Sequence, residues 1–161
     1  MILSAIYVAL VGGIFYAKLV YQQLAPEQLS LLLWPTAKLA SLLSGIVFIS
    51  QGGVFISPDL AYTIDKSCSG YNFLLISLIL VLYVSYTASP HRFSFLLMTV
   101  LAAYCLTIVA NAFRITVSLA YPGEITAEMT HRVQGIAVYL LCLLGFYQGL
   151  KLLRRFSCQP Q

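Results

Sequence analysis

The sequence predicts an all-α, polytopic transmembrane helix bundle of about five spans. Three observations lead to this class: 60% of the residues are hydrophobic, only 9% are charged, and apolar runs near bilayer length recur along all 161 residues. Soluble domains are about half apolar and about a quarter charged, and a helix of about 20 apolar residues crosses a bilayer. No linker or repeat divides the chain, so we expect one transmembrane domain over residues 1–161.

Five helices are predicted, with these bounds: Ile2–Tyr21, Leu29–Ser50, Ser69–Tyr86, Phe93–Tyr121 and Arg132–Leu153. The first has no basic segment before its apolar run, because its first cation is Lys18. We therefore interpret it as a retained helix and not as a removable signal peptide. The second is the least regular, since Trp34, Pro35 and Lys38 interrupt its first half.

The segment between the second and third helices, residues 51–65, is predicted not to cross the membrane. Its two glycines and Ser57–Asp59 are turn formers. The flanking Val54–Ile56 and Tyr62–Ile64 are expected to pair as a short extracytoplasmic β-hairpin. This hairpin would lead directly into the third helix and form a lip beside its start.

The distribution of cations predicts the orientation. Short loops that carry Lys and Arg tend to stay in the cytoplasm. With five spans, Lys18, His91–Arg92 and the basic tail 151–155 fall on one side. This predicts a multi-pass protein of the plasma or inner membrane, with its N-terminus outside and its C-terminus in the cytoplasm. The net charge of +4 is then explained by topology, and no nucleic-acid partner is expected.

Three reactive side chains are expected at one membrane face. Cys68 opens one apolar run, Arg114 closes the next, and His131 opens the last. Because two crossings return the chain to the side that it left, these residues should meet, and the orientation above makes this the extracytoplasmic side. A thiol, a fixed cation and an imidazole suffice for nucleophilic catalysis.

The segment around Cys68 has features of a nucleophile site. Asp65 or Ser67 can cap the third helix, and a cysteine in its first turn would lie at the positive end of the macrodipole, which favours the thiolate. Ser69 and Gly70 follow, and Gly70 permits close approach of another chain segment. Backbone amides near the thiol are candidate oxyanion donors. The alternative is a small buried residue without a chemical role.

Two further segments supply polar groups. Asn111 and Arg114 are three residues apart and share a helix face; the alternative for Arg114 is a side chain that extends to the interface. His131 can transfer protons near neutral pH, or it is structural. Glu128 is three residues earlier and can orient His131 or pair with Arg132.

Other chemistries lack a signal in the sequence. There is no metal-ligand spacing and no phosphate-binding loop, so neither a metal nor a cofactor is expected. The absence of a CxxC motif disfavours a disulfide oxidoreductase.

The order of these motifs resembles the exosortase/archaeosortase family. The matching residues are Cys68-Ser-Gly70, Asn111-Ala-Phe-Arg114-Ile115 and His131, and the resemblance covers about residues 52–150, the expected catalytic core. Many members are longer, so the chain is similar to the short forms such as exosortase K. By this resemblance, Cys68 matches the nucleophile, Arg114 the essential arginine and His131 the third catalytic position.

The resemblance implies a membrane-embedded cysteine transpeptidase, a thiol protease that can also transfer its product. Its substrate would be an exported protein with a C-terminal sorting signal: a short motif, a transmembrane helix and a basic cluster. Membrane lipid would present this helix, and the acceptor is unknown. Two alternatives stay open: a non-catalytic membrane assembly subunit that pairs Arg114 and Glu128 with a partner helix, and a small transporter with Arg114 beside an anion path.

Overall fold

The computed structural model describes residues 2–59, 62–86, 92–120 and 127–157, with only the backbone described at 2–3, 92–93, 127–132, 134 and 154–157. It shows a helix bundle with a small sheet at one end. The elements are α1 (Ile2–Val20), α2 (Ser30–Ser44), β1 (Ile49–Gln51), β2 (Val54–Ile56), β3 (Thr63–Ile64), α3 (Tyr71–Tyr86), α4 (Arg92–Ala120) and α5 (Ala127–Ser157).

Four segments of the described chain are long and apolar enough to cross a membrane: Ser4–Gln23, Lys66–Tyr86, Ser94–Ala120 and Gly135–Leu153. Their main parts are α1, α3, α4 and α5; the first also includes the short turn after α1, and the second the short turn before α3. They confirm the predicted class of helical membrane bundle. The remaining helix, α2, has 15 residues, which at ~1.5 Å per residue is about 22 Å, short of the ~30 Å of a hydrocarbon core. Among the described residues the number of candidate spans is therefore four, compared with the five that the sequence predicted.

The second predicted helix, Leu29–Ser50, was too long because Gly45 ends it. Gly45 adopts φ +74°, and its N–H donates to the carbonyl of Ser41 at 2.9 Å, which is a left-handed helix cap. Residues 49–51 form β1 instead. Gly53, in the turn after β1, packs on the backbone just before α2: a Cβ there would lie 2.7 Å from the Glu27 nitrogen. Both ends of α2 thus adjoin the same small sheet, so α2 does not cross the bundle.

The sheet is antiparallel with the order β1-β2-β3. Phe55 pairs with Ser50 on one side and with Ile64 on the other. The predicted hairpin of Val54–Ile56 with Tyr62–Ile64 is confirmed as β2 and β3, and β1 is an additional strand. Because β3 ends at Ile64, the sheet leads directly into the residues before Cys68.

Helices α1 and α3 are antiparallel, which places the start of α1 far from Cys68. Near the start of α1, the Ser4 and Tyr86 hydroxyl groups lie 3.5 Å apart. Near its end, Lys18 donates to the Asn72 side chain close to Cys68. The prediction that the N-terminus shares the side of Cys68 is therefore wrong. The reason is that both ends of α2 adjoin the sheet, so that α1 alone runs the length of the bundle before Cys68.

Two apolar clusters hold the bundle together. The cluster at the sheet end joins the sheet to α2 and α4, and Cys68 packs against it; its buried members are Leu29, Leu33, Ala37, Ala40, Phe48, Phe55, Ile64, Ala112 and Ile115. The cluster at the opposite end joins α3, α4 and α5, with the buried members Val81, Val84, Ala103 and Leu150. The Cys68 turn thus rests on packed structure.

Candidate functional site

Cys68 lies in a short 3-10 turn and not in the first turn of α3. The turn covers Lys66–Cys68 and is capped by Asp65, whose Oδ1 accepts from the Ser67 nitrogen at 2.9 Å and from its hydroxyl at 2.6 Å. The predicted Asp65 cap is therefore confirmed, but it caps this turn. Two residues, Ser69 and Gly70, separate Cys68 from α3. The predicted placement of Cys68 at the N-terminus of a long helix is wrong, and the macrodipole argument no longer applies.

The backbone amides of the turn are already used within it. The Ser67 N–H donates to Asp65 Oδ1, the Cys68 N–H to the Asp65 carbonyl at 2.9 Å, and the Ser69 N–H to the Lys66 carbonyl at 3.1 Å. The structure therefore does not support these three amides as oxyanion donors. A side chain near the half-buried Cys68 thiol is therefore a candidate for stabilising charge that develops there.

Gly70 allows α4 to approach the Cys68 turn closely. Its φ of +69° is in the left-handed region that favours glycine. A Cβ at this position would lie 3.1 Å from Thr107 Cγ2 and 3.3 Å from Asn111 Cβ. The prediction that Gly70 permits close approach of another chain segment is confirmed, and the segment is α4.

Asn111 connects α4 to both the Cys68 turn and α5. Its side chain is fully buried. Its Nδ2 donates to the Cys68 carbonyl, and its Oδ1 accepts from the Tyr139 hydroxyl at 2.8 Å. A polar group at this depth is costly unless it faces the bundle interior and finds partners, and both ends of this carboxamide do.

Arg114 lies between α4 and α5, one turn beyond Asn111. Its guanidinium carbon is 5.5 Å from the centroid of the Tyr139 ring, within the range of a cation–π contact. Gly135 makes room for it, because a Cβ there would lie 3.1 Å from Arg114 Cδ and 3.4 Å from Nη1. The Nε atom is buried and has no hydrogen-bond partner in the described part of the chain. A buried, unpaired donor therefore lies at the Cys68 end of the bundle.

Tyr139 is the residue of this site that the sequence reasoning missed. Its hydroxyl contacts Asn111 and its ring contacts Arg114, while Phe73 stacks on the ring at 4.7 Å between centroids. The available signal was the spacing of His131, Gly135 and Tyr139, which are four residues apart and so lie along one face of a helix. A tyrosine inside an apolar run otherwise resembles an ordinary core aromatic.

The end of α1 holds the Cys68 turn from the other side. Lys66 Nζ donates to the carbonyls of Gln22 at 2.8 Å and Leu24 at 2.9 Å, and it lies 4.9 Å from the centroid of the Tyr21 ring. The Tyr21 hydroxyl donates to the Lys66 carbonyl at 2.8 Å. Ser69, which is almost fully buried, accepts from the Tyr71 nitrogen at 3.3 Å. The turn is thus attached on both flanks.

The third predicted catalytic residue, His131, belongs to α5, one turn before Gly135. Glu128 is in the same helix, and the side chains of both lie outside the described residues. The structure therefore brings Cys68 and Arg114 into one contact network, and it places the backbone of His131 in the helix that carries Tyr139. Among the described residues, no group of three His, Cys, Asp or Glu side chains is arranged to hold a metal ion.

The fold defines a class of protein: a helical membrane bundle in which the backbone of a cysteine is linked at one end to an arginine, through Asn111 and Tyr139. The model of one protein family, the transmembrane exosortases, matches residues 2–147. The chain therefore belongs to the transmembrane exosortase family, a family of membrane transpeptidase type, and the predicted family is confirmed. Neither a curated protein nor a solved structure matches the chain.

Proposed function

We propose that this protein is a cysteine transpeptidase that cleaves the C-terminal sorting signal of exported proteins at the extracytoplasmic membrane face. The observation that supports this most is a continuous series of contacts from the nucleophile turn to the arginine. It runs from the Cys68 carbonyl to Asn111, from Asn111 to the Tyr139 hydroxyl, and from the Tyr139 ring to Arg114. This network supports a site in which the Cys68 thiol and the Arg114 guanidinium act on one substrate carbonyl group.

In the proposed reaction, the Cys68 sulfur attacks the scissile carbonyl carbon, and the negative charge moves to the carbonyl oxygen. Arg114 stabilises this oxyanion. This role is supported by its Nε, which is buried and has no hydrogen-bond partner among the described residues, and by the use of three neighbouring amides inside the turn. Collapse of the oxyanion breaks the C–N bond, releases the amine and leaves a thioester on Cys68. An acceptor amine, a hydroxyl or water then attacks the thioester and restores the thiol.

The proton in this scheme moves through His131. Its imidazole takes the thiol proton and gives it to the leaving amine. The register of α5 supports this role, because His131 comes one turn before Gly135, the glycine that contacts Arg114. Glu128 comes a further turn earlier and is proposed to orient the imidazole.

The orientation that we propose places the Cys68 end outside the plasma or inner membrane. A dense basic cluster lies at the end of the last candidate span, opposite the Cys68 end; it consists of Lys151, Arg154 and Arg155. Such clusters tend to stay in the cytoplasm. Because α1 begins at this opposite end, both termini are then cytoplasmic. Reporters of cytoplasmic location fused to either terminus should be active, and an inactive reporter at the N-terminus would contradict this orientation.

The proposed substrate carries a sorting signal that consists of a short motif, a transmembrane helix and a basic cluster. With the Cys68 end outside, the helix of the substrate would lie alongside the bundle in lipid, its basic cluster in the cytoplasm and its motif at the level of Cys68. The bond to be cut would then reach the thiol by lateral diffusion of the substrate. The acceptor is an amine, a hydroxyl or water.

The direct test is Cys68→Ala in cells that also make a candidate substrate. We expect processing to be abolished while the protein still inserts, and a covalent substrate adduct should be captured on Cys68 in the parent protein. Cys105→Ala is the matched control, because Cys105 is a free and exposed cysteine of α4. Undiminished processing by Cys68→Ala would exclude the thioester mechanism. Arg114→Ala and His131→Ala should also abolish processing without loss of insertion.

The assembly-subunit alternative makes the opposite prediction. It requires that Arg114 pairs with a partner helix and that Cys68→Ser leaves activity intact. The position of Arg114 between α4 and α5, in contact with Gly135 and Tyr139, favours a role inside the bundle.

A further inference from the structure

We propose that Tyr139 is a positioning residue that sets the Cys68 turn and Arg114 relative to each other; this inference rests on the proposed function. Tyr139 belongs to a different helix from either of them, and it contacts each through a different part of its side chain. Its hydroxyl acts on Cys68 through Asn111, and its ring acts on Arg114 directly. It is expected to touch neither the substrate nor the reacting atoms.

The hydroxyl controls the orientation of the Asn111 carboxamide. Asn111 is fully buried, and Tyr139 is the donor to its Oδ1 at 2.8 Å. Without that donor, a buried acceptor is left unpaired, which is costly. The carboxamide is then held at one end instead of two, by the bond from Nδ2 to the Cys68 carbonyl alone. The hydrogen bond that holds the nucleophile turn against α4 is weakened as a consequence.

The ring has a separate function, because its position does not depend on the hydroxyl. It lies between Phe73 of α3, stacked at 4.7 Å with an interplanar angle of 23°, and the Arg114 guanidinium of α4. Replacement by phenylalanine removes only the link to Asn111. Replacement by leucine removes that link and the ring beneath Arg114.

The phenylalanine and leucine variants of Tyr139 therefore separate its contact with Asn111 from its contact with Arg114. For Tyr139→Phe we expect the turnover rate of substrate processing to fall roughly fivefold to thirtyfold, with the half-saturating substrate level changed by less than about twofold. Tyr139→Leu should lower the turnover rate further than Tyr139→Phe does. Tyr147→Phe is the matched control, because Tyr147 lies two turns further along α5 under another cation, Lys151 Nζ at 4.8 Å from its ring centroid; it should retain the parent rate.

A double-mutant cycle distinguishes positioning from a general loss of stability. Because the Tyr139 hydroxyl is proposed to act through Asn111, Tyr139→Phe in an Asn111→Ala background should cause little further loss. Additive losses would overturn the proposal, since they would show two independent effects. A rate for Tyr139→Phe equal to that of Tyr147→Phe would also overturn it.

A second measurement keeps this inference separate from the proposed function. The background for this measurement has Cys105, Cys142 and Cys158 changed to serine. In it, the rate at which a small thiol reagent alkylates Cys68 reports the conformation of the Cys68 turn, and no substrate is needed. We expect at least about a threefold change in that rate for Tyr139→Phe and none for Tyr147→Phe. If Cys68→Ala still processes substrate, the proposed function fails while the alkylation rates continue to test the link. Equal alkylation rates would overturn the link even if Cys68 proves essential.

Discussion

The two ends of the bundle are held together by different kinds of contact. At the Cys68 end, hydrogen bonds and ring contacts join α1, α4 and α5 to one short turn through the side chains of Tyr21, Lys66, Asn111 and Tyr139. At the opposite end, α3, α4 and α5 meet through aliphatic side chains such as Val81 and Leu150. A hydrogen bond requires a particular partner and direction, whereas aliphatic packing tolerates substitutions of similar volume.

Polar residues of the spans away from the Cys68 turn differ from those beside it. Ser77 and Ser85 of α3 are buried, and their hydroxyl groups have no partner in the described part of the chain. Thr99 bonds only to carbonyls of its own helix, at 2.8 and 3.0 Å. Small residues of this kind allow helices to pack closely in lipid.

Exposed cross-helix polar contacts also occur away from the site, between Ser4 and Tyr86 and from Tyr104 to the Leu31 carbonyl. The comparison teaches that the site is marked by a fully buried side chain, Asn111, that bonds to two other elements, and that buried polar residues alone do not mark it.

The largest expected difference between the two ends is in how a change of cation affects the processing rate. Arg114→Lys keeps the charge but loses the planar guanidinium that lies on Tyr139 and the buried Nε. We expect substrate processing to slow by about 10²–10³-fold, the range for loss of an oxyanion donor. Lys151 lies over the ring of Tyr147 at the far end. Lys151→Arg should change the processing rate by less than about twofold. Equal processing rates for Arg114→Lys and Lys151→Arg would show that the two ends do not differ in their dependence on the type of cation.

A smaller effect is expected from adding one methyl group to a glycine. Gly70→Ala puts a Cβ on a residue with φ +69° and against Thr107 and Asn111. Such strain costs of order 1–3 kcal/mol, and the displaced turn should slow processing by roughly tenfold or more. In Gly12→Ala on α1, the new Cβ meets nothing within 4 Å, so stability and rate should be preserved. Thermal unfolding in detergent and the processing rate check both variants, and an unaffected Gly70→Ala would contradict the close approach of α4.

The smallest effect on activity is expected from truncation in the far cluster. Leu150 is 1% exposed, and Leu150→Ala should lower the free energy of unfolding by roughly 1–3 kcal/mol. This is less than the ~2–5 kcal/mol typical of soluble cores, because lipid also solvates methyl groups. The processing rate at a permissive temperature should stay within about twofold of the parent. A loss of rate as large as that of Gly70→Ala would show that the two ends are coupled.

Several features were predictable because they depend on local composition. The apolar runs predicted most ends of the helices α1, α3, α4 and α5 to within a few residues. The glycines at 52 and 53 predicted the turn that lies between β1 and β2. Cys68 and Arg114 were correctly expected at one end. This required only that the two helices between them return the chain to the side that it left.

Other features depended on contacts between residues far apart in the chain. The attachment of both ends of α2 to one sheet keeps α2 from running the length of the bundle, so the start of α1 lies at the end opposite Cys68. The amides beside Cys68 were expected to be free, but the 3-10 turn uses them.

The sequence by itself determined a lipid-soluble helix bundle with a thiol and an arginine at one of its ends, because solubility in lipid and the parity of crossings follow from the order of residues. Only the tertiary structure decided that Tyr139 joins these two groups through Asn111. The physical reason is that a hydrogen bond between α4 and α5 depends on how the two helices are rotated relative to each other. Local sequence patterns do not determine that rotation.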